Sequence, residues 1–322
     1  MYKVILAGGK YTNPTNDSHV ISAVYFELYM SMVESSIVEP VDAVWYDEPI
    51  PAGYKSHDEY LYKACEKYRP DMVMYSFTPG WLNPSSDVIL MIRKRLRIPV
   101  AVAQWDTNTR DGDHWNRIIA KPCDIDIAMD SPYLHYDYMF YTVSPATSHL
   151  FYDDNRKRDI DVSFLGDKDR LVRGTTPRKN MIEALEAEGI EIFTAGDHDR
   201  IKLSNEEYAN LFRRSKITLN FPMLEDDWPD SYQRKGRILE ATRCGALVAE
   251  EKHPPIDYYF TPGRDYIELI KEDPKESVRI LKYYLEHEDE RKAIAERGKL
   301  ECQTTHSPNA FWHSVLRRLN IA

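Results

Sequence analysis

Short apolar runs without a single charge alternate along this chain with stretches of helical spacing, and residues 236–249 show the pattern most completely. Ile238, Leu239, Ala241 and Thr242 fall on one face of a helix of two or three turns. Gly245 stands just past that helix, where glycine takes positive φ at little cost. Residues 246–249 are short, apolar and charge-free, as a strand covered on both faces must be. A helix feeding such a strand implies a parallel sheet with right-handed crossovers. Lys235 and Arg237 then sit at a helix start near the carboxyl edge of the sheet, with Glu240 one turn further in. Open α/β sheets bind ligands at that edge, and a helix N-terminus favours anions. The three-residue spacing of Arg237 and Glu240 equally suits a surface ion pair worth roughly 0.2–0.5 kcal/mol, so this helix alone leaves both readings open.

The same alternation runs through both halves. Residues 3–7 predict a first strand ending in Gly8-Gly9, and Asp17 or Ser18 caps a helix reaching about Ser35. Strands are predicted at 43–45, 72–75, 100–103 and 125–128, with helices at 58–67, 86–95 and 112–119. Residues 133–141, rich in Tyr, His and Met, have no clear period. The polar run 153–158 reads as a linker. A second unit begins with a strand at 161–166. Thr176-Pro177 opens a helix that Gly189 ends, and a strand at 190–194 runs into a loop at Gly196. Ser204 and Glu207 form a capping box, a strand follows at 217–221, and an acidic loop, 225–230, leads back to Lys235. Asp273-Pro274 caps a further helix, another at 288–297 stops at Gly298, and the last, 308–319, carries Phe311, Trp312, Val315, Leu316 and Leu319 on one stripe. The expected domains are 1–157 and 158–306, with a final helix at 307–322.

At 322 residues, 29% of them charged, the chain has room for two domains. No run of eighteen apolar residues occurs, which excludes a membrane-spanning helix of ordinary length. Cys65, Cys123, Cys244 and Cys302 are scattered without a C-x-x-C pair, which argues against a disulfide framework or a zinc site and for the cytoplasm. A net charge of −10 weighs against coating nucleic acid, though it leaves room for a local basic cleft.

The run 161–166, then 235–246 (Lys-Gly-Arg-Ile-Leu-Glu-Ala-Thr-Arg-Cys-Gly-Ala), then Tyr259-Phe-Thr-Pro-Gly-Arg, a Tyr-Tyr-Leu helix and Thr305-His306-Ser307 resembles the C-terminal domain of group-1-type glycosyltransferases. More closely, it resembles the branch typified by spore-maturation proteins and many bacterial and viral sugar transferases. The resemblance covers about residues 159–319; the first half is similar in architecture only. It implies the α/β GT-B fold, two Rossmann-like parallel-sheet domains facing a cleft, with a nucleotide-diphosphate sugar held mainly by the second. It implies also that the last helix crosses back to the first domain. By the same resemblance Glu240 matches the glutamate that binds the ribose hydroxyls, and Gly166 and Gly196 match glycines that let the donor approach the backbone. The leaving diphosphate must be met by positive charge, for which Arg178, Lys235 and Arg237 are the candidates, each contact worth about 1.5–3 kcal/mol. Two or three would serve without Mg²⁺, so no metal or other cofactor is expected. A simple turn at each glycine, and a solvated charge at Arg178, are the plain alternatives. Many retaining members carry a second glutamate eight residues before the first; here Tyr232 stands there, with Asp230 nearby, which leaves the stereochemistry open.

On the acceptor side, Gly8, Gly9 and Trp105 fall at strand ends where a ligand would lie. Asp106, and after it His114, are the candidates for deprotonating an acceptor hydroxyl, although a cap or loop hydrogen bond suits them too. The acceptor class spans a glycan, a small molecule and, less favoured by the charge, a modified nucleic acid. Asp124-x-Asp126 and Asp197-x-Asp199 match D-x-D only formally and are not taken as metal sites. A sugar-nucleotide epimerase or hydrolase of the same fold is the runner-up, betrayed by turnover of donor alone. A silent nucleotide-sugar-binding module is the third reading, betrayed by binding without turnover.

Overall fold

Strand β1 (Tyr2–Gly8) is sequestered from Val4 onward because its neighbours on both sides are strands of the same sheet. The structure, a computed structural model, describes residues 1–11, 22, 24–77, 83–105, 121–129, 139–142, 144–169, 177–196, 203–222 and 232–322. They form two units, 1–147 with 306–322, and 148–305.

In the first unit β1 is joined by β2 (Val38–Trp45), β3 (Met72–Ser76), β4 (Val100–Gln104), β5 (Ile125–Ala128) and β6 (Met139–Tyr141), all parallel, in the order β2-β1-β3-β4-β5-β6. The last of these lies in the stretch whose sequence shows no period. Strand β2 is longer than its apolar run predicts. It holds Pro40 because it is an edge strand, and a register shift opposite Val4 and Ile5 bulges out one residue there. A wide helical turn (Val24–Tyr29) leads into α1 (Met30–Glu34). Helix α2 (His57–Tyr68) is capped by Ser56, and α3 (Ser86–Met91), capped by Ser85, runs on as a wide turn (Ile92–Leu96) to Arg97 in the left-handed region. Alternate strand residues face opposite ways, so Val4, Leu6, Met72 and Met74 pack with Leu28 and Met32, whereas Ile5, Ala7, Val73 and Tyr75 pack with Leu61 and Ile89. The caps predicted at Asp17 or Ser18 and the helix at 112–119 lie outside the described residues.

The second unit repeats the plan with β7 (Ile160–Leu165), α4 (Pro177–Ala187), β8 (Ile192–Ala195), α5 (Asn205–Arg214), β9 (Ser215–Asn220), α6 (Gly236–Arg243), β10 (Leu247–Glu251), β11 (Ile267–Leu269), α7 (Pro274–Glu286) and α8 (Glu288–Gln303). Its parallel order is β11-β10-β9-β7-β8. The capping box of Ser204 and Glu207 is present at the start of α5, and Gly245 has φ +74° after α6. Helix α8 corrects the sequence reading, because it does not stop at Gly298. A Cβ there would lie 2.6 Å from the carbonyl oxygen of Asp265, so the glycine lets the helix press on that loop instead of ending it. The final helix, α9 (Pro308–Arg318), returns to the first unit, where Trp312 donates from Nε1 to Ser31 Oγ at 3.0 Å and Phe311, Val315 and Leu316 enter the core. Both sheets thus place their first strand inside, the second to one side and the third onward to the other. Such an order leaves a crevice at the carboxyl ends of the first and third strands.

Candidate functional site

In the second sheet that crevice lies between the ends of β7 and β9, and a guanidinium spans it. Gly166 immediately follows β7. Asn220 closes β9. Arg237, on the first turn of α6, donates from Nη1 to Asn220 Oδ1 at 3.2 Å and lies over the Phe164 ring, 5.5 Å from its centroid. Its Nη2 and Cζ press on Gly166, where a Cβ would meet them at 2.9 and 3.2 Å. Gly196, at φ +97°, is packed backbone to backbone on Gly166, with a would-be Cβ 3.1 Å from the Gly166 nitrogen. The two glycines and the arginine therefore meet at one edge, and close approach is what each glycine provides.

Asn220 is oriented by a further bond. Its Nδ2 donates to Glu250 Oε1 at 2.8 Å, and the same oxygen is 2.7 Å from His253 Nε2, on whose ring Tyr232 stacks. Glu250 is wholly buried at the end of β10, as is His253 behind it. A fixed chain therefore runs from a buried carboxylate through an amide to the guanidinium, and it holds Arg237 without neutralising it directly. Glu240, one turn along α6, accepts from Tyr208 Oη at 2.8 Å. Burial, and then the Glu240 carboxylate, push the Tyr208 hydroxyl well above its ordinary value, so it stays a donor.

Lys235 occupies the cap position of α6, which no side chain caps, and its Nζ donates to Gln233 Oε1 at 2.6 Å. The first amides of that helix add to the positive end. Arg178, on the first turn of α4, is buried rather than a solvated charge, and its Nη1 donates to the Asp167 carbonyl beside Gly166 at 3.3 Å. It also faces Glu251, whose carboxyl burial pushes up to about 7 against the pull of Lys271 and Arg178. Arg237, Arg178 and Lys235 belong to this edge with Glu240 beside them, an arrangement able to take a diphosphate and a diol. Asn220, Tyr208, Glu250 and His253 were not singled out by the sequence reading. The signal was an asparagine and a glutamate closing otherwise apolar strands.

At the corresponding edge of the first sheet, Gly8 closes β1 against β3, where a Cβ would come within 3.2 Å of Ser76 Cβ. Gly9 accepts from Ser22 Oγ at 3.0 Å, and Trp105, just past β4, donates to Glu27 at 3.3 Å while packing on the core. Asp106, His114, Asp197, Asp199 and Asp230 lie outside the described residues. The two aspartates of 124–126 are engaged apart, Asp124 by Arg93 and Asp126 by the Gln104 amide. Among the described residues no group of three His, Cys, Asp or Glu side chains is poised to hold a metal ion, and no helix is long and apolar enough to cross a membrane.

Comparison with known proteins agrees with this geometry. Residues 175–317 match the glycosyl transferase-like family. No curated protein sequence matches the chain. Among solved structures, an alpha-glucosyltransferase in complex with UDP-glucose and DNA containing an abasic site is similar at TM-score 0.63 and 10% identity, over 98% of each chain. Anabaena HepE in complex with UDP-glucose is similar at TM-score 0.57 and 9% identity over the whole of both chains. Sucrose-phosphate synthase from Thermosynechococcus elongatus gives TM-score 0.57 and 13% identity over 99% of each. Two parallel-sheet Rossmann-like units and crevices of the same order lead to one identification: the chain has the GT-B fold, and its residues 175–317 match the glycosyl transferase-like family.

Proposed function

We propose that the protein is a glycosyltransferase that moves a hexosyl or pentosyl group from a nucleoside-diphosphate sugar to a hydroxyl acceptor without a metal ion. The observation that carries this reading is the Arg237 guanidinium, pinned across the β7–β9 crevice by Asn220 and Gly166. An acceptor hydroxyl attacks the anomeric carbon, the bond from that carbon to the diphosphate breaks, and the hydroxyl proton passes to a base. Charge accumulates on the leaving diphosphate, and Arg237, Lys235, Arg178 and the uncapped start of α6 are the groups that meet it. Glu240 is assigned the ribose hydroxyls, with Tyr208 fixing its carboxylate. Gly166 and Gly196 keep the donor's path to the backbone clear. Asp106 is the proposed base, His114 the second candidate, with Gly8, Gly9 and Trp105 on the acceptor side.

The UDP-sugar complexes of proteins of similar fold favour UDP-glucose as the first donor to try. The motif run from Lys235 to Ala246 favours the spore-maturation-protein-like branch. Four free thiols fit a reducing compartment, and the cytoplasm is the proposed location. Replacing Glu240 by Ala is the test: donor affinity measured calorimetrically should fall by at least tenfold while the fold persists. Unchanged affinity would remove Glu240 from the site.

A further inference from the structure

We propose that the amino edge of the first sheet carries a second anion site, one that takes the phosphoryl group of a multiply charged ligand. The first unit has a depression of about 540 Å³ where the chain enters β4 and β5, on the edge opposite Gly8 and Trp105. Arg93, Lys94, Arg97 and Arg318 line it, with Asp124 the one carboxylate on its wall. That carboxylate is taken up by Arg93, through a bidentate pair whose Nε contact is 2.8 Å, and by the Val100 amide at 2.8 Å. Arg93 is fixed further by the Pro122 carbonyl, so one guanidinium is locked in the wall.

Lys94, Arg97 and Arg318 have no carboxylate partner among the described residues. Arg318 is held against the Phe140 ring, 5.6 Å from its centroid, which orients it without cancelling its charge. Three exposed cations without a carboxylate partner among the described residues thus line one hollow, in a chain whose net charge is −10. A second depression of similar size, about 570 Å³ in the second unit, makes the contrast. There Arg156 pairs with Asp154, Arg158 with Asp153, Lys216 with Asp161 and Lys292 with Glu288, which leaves Lys157 as the lining cation without a carboxylate partner among the described residues, one against three. Arginine forks and a lysine around a hollow of ligand size suit a terminal phosphate or pyrophosphate, whereas a phosphodiester backbone would want an open stripe. The phosphate can be free in solution or the headgroup of a lipid, and the experiment separates the two.

Full-length protein would be titrated calorimetrically with inorganic pyrophosphate and, separately, floated with vesicles of phosphatidylcholine alone or mixed with phosphatidic acid, whose headgroup is a terminal phosphate. Wild type would be compared with K94E/R318E and, because the pyrophosphate can also reach the second unit, with Arg237→Ala. The expectation is a component of binding weakened at least tenfold in the double variant and retained in Arg237→Ala, and weakened further between 50 and 200 mM salt. Loss of pyrophosphate binding would identify a free phosphate as the source, and loss of vesicle binding a lipid headgroup. Equal binding by wild type and double variant in both arms, or no binding by wild type in either, overturns the proposal. Arg97 is exposed and its side chain donates to none of the described residues, so Arg97→Ala repeats the test should the double variant melt early.

Discussion

Replacing Gly166 by Ala separates the role assigned to Arg237 from the stability of the fold. The new methyl carbon would lie 2.9 Å from Nη2 and 3.2 Å from Cζ of Arg237. Ordinary contact requires the guanidinium to recede by about half an ångström. Its bond to Asn220 Oδ1 is already 3.2 Å, so that retreat takes it past hydrogen-bonding range. A charge-assisted contact so lost costs about 1.5–3 kcal/mol, which is roughly a 10- to 150-fold loss of affinity for a nucleoside diphosphate. Stability should fall by no more than about 1 kcal/mol, because the Asn220 bond is already long, the atom that yields is the end of a flexible side chain, and Gly166 has no positive φ. Restricting the unfolded chain even returns about 0.4–1 kcal/mol. Scanning calorimetry would give Tm, and titration with UDP the affinity, for Gly166→Ala, Arg237→Ala and the double variant. In the Arg237→Ala background the methyl should cost nothing more, because nothing remains for it to displace. Additive losses, or full affinity in Gly166→Ala, would refute the assignment of the diphosphate to this guanidinium.

Burial pushes the Asp126 carboxyl from its ordinary 3.8 up to about 7, the Gln104 amide only partly opposing it. The folded chain then holds this proton more tightly than the unfolded one, so stability should fall as pH rises through that window, by up to about 1.4 kcal/mol per pH unit. Asp126→Asn should raise Tm at pH 8 and halve the slope, Glu251 supplying the remainder in the same direction; parallel pH profiles would contradict it. Gly298→Ala drives a methyl to 2.6 Å from a backbone oxygen that has no flexible end to yield, and should destabilise by about 1–3 kcal/mol in denaturant unfolding. Trp312→Ala empties a fully buried site and removes the donor to Ser31 Oγ, which keeps its own bond to the Leu28 carbonyl, with an expected loss of about 3–5 kcal/mol read the same way.

The elements that were legible are those whose signal is local. A capping box needs only Ser204 and Glu207, and the stop after α6 needs only Gly245. Gly298 misled because its reason is tertiary: the Asp265 carbonyl that excludes a side chain belongs to another segment. Likewise β6 carries no period, since a three-residue strand is too short to show one, and β2 hides behind Pro40, which an edge strand tolerates. At the candidate site the charged residues stood out because helix starts and strand ends are marked in sequence. Asn220 and Glu250 did not, for each looks like the polar end of an apolar run until register brings it beside its partner.

Two sheets of the same strand order can therefore hold different chemistry at the same place. In the second, Arg237 crosses the crevice held by a neutral amide, and the carboxylate that orients this amide is one residue removed, so the positive charge stays available to an anion. In the first, the cation nearest the glycines is spent: Lys10, next to Gly9, pairs with Glu48 at 2.8 Å. Among the described residues, what remains there is a close backbone approach between Gly8 and Ser76 and an indole held by Glu27. Among the described residues the first crevice, with Lys10 paired, thus offers less to a diphosphate than the second, where a neutral amide holds the Arg237 guanidinium. Charge reversal tests this partition: a lysine in place of Glu48 frees positive charge at the first crevice and should leave UDP affinity as it was, because the proposed donor site lies in the other unit. A gain in UDP affinity would place the diphosphate at the wrong sheet for everything argued above.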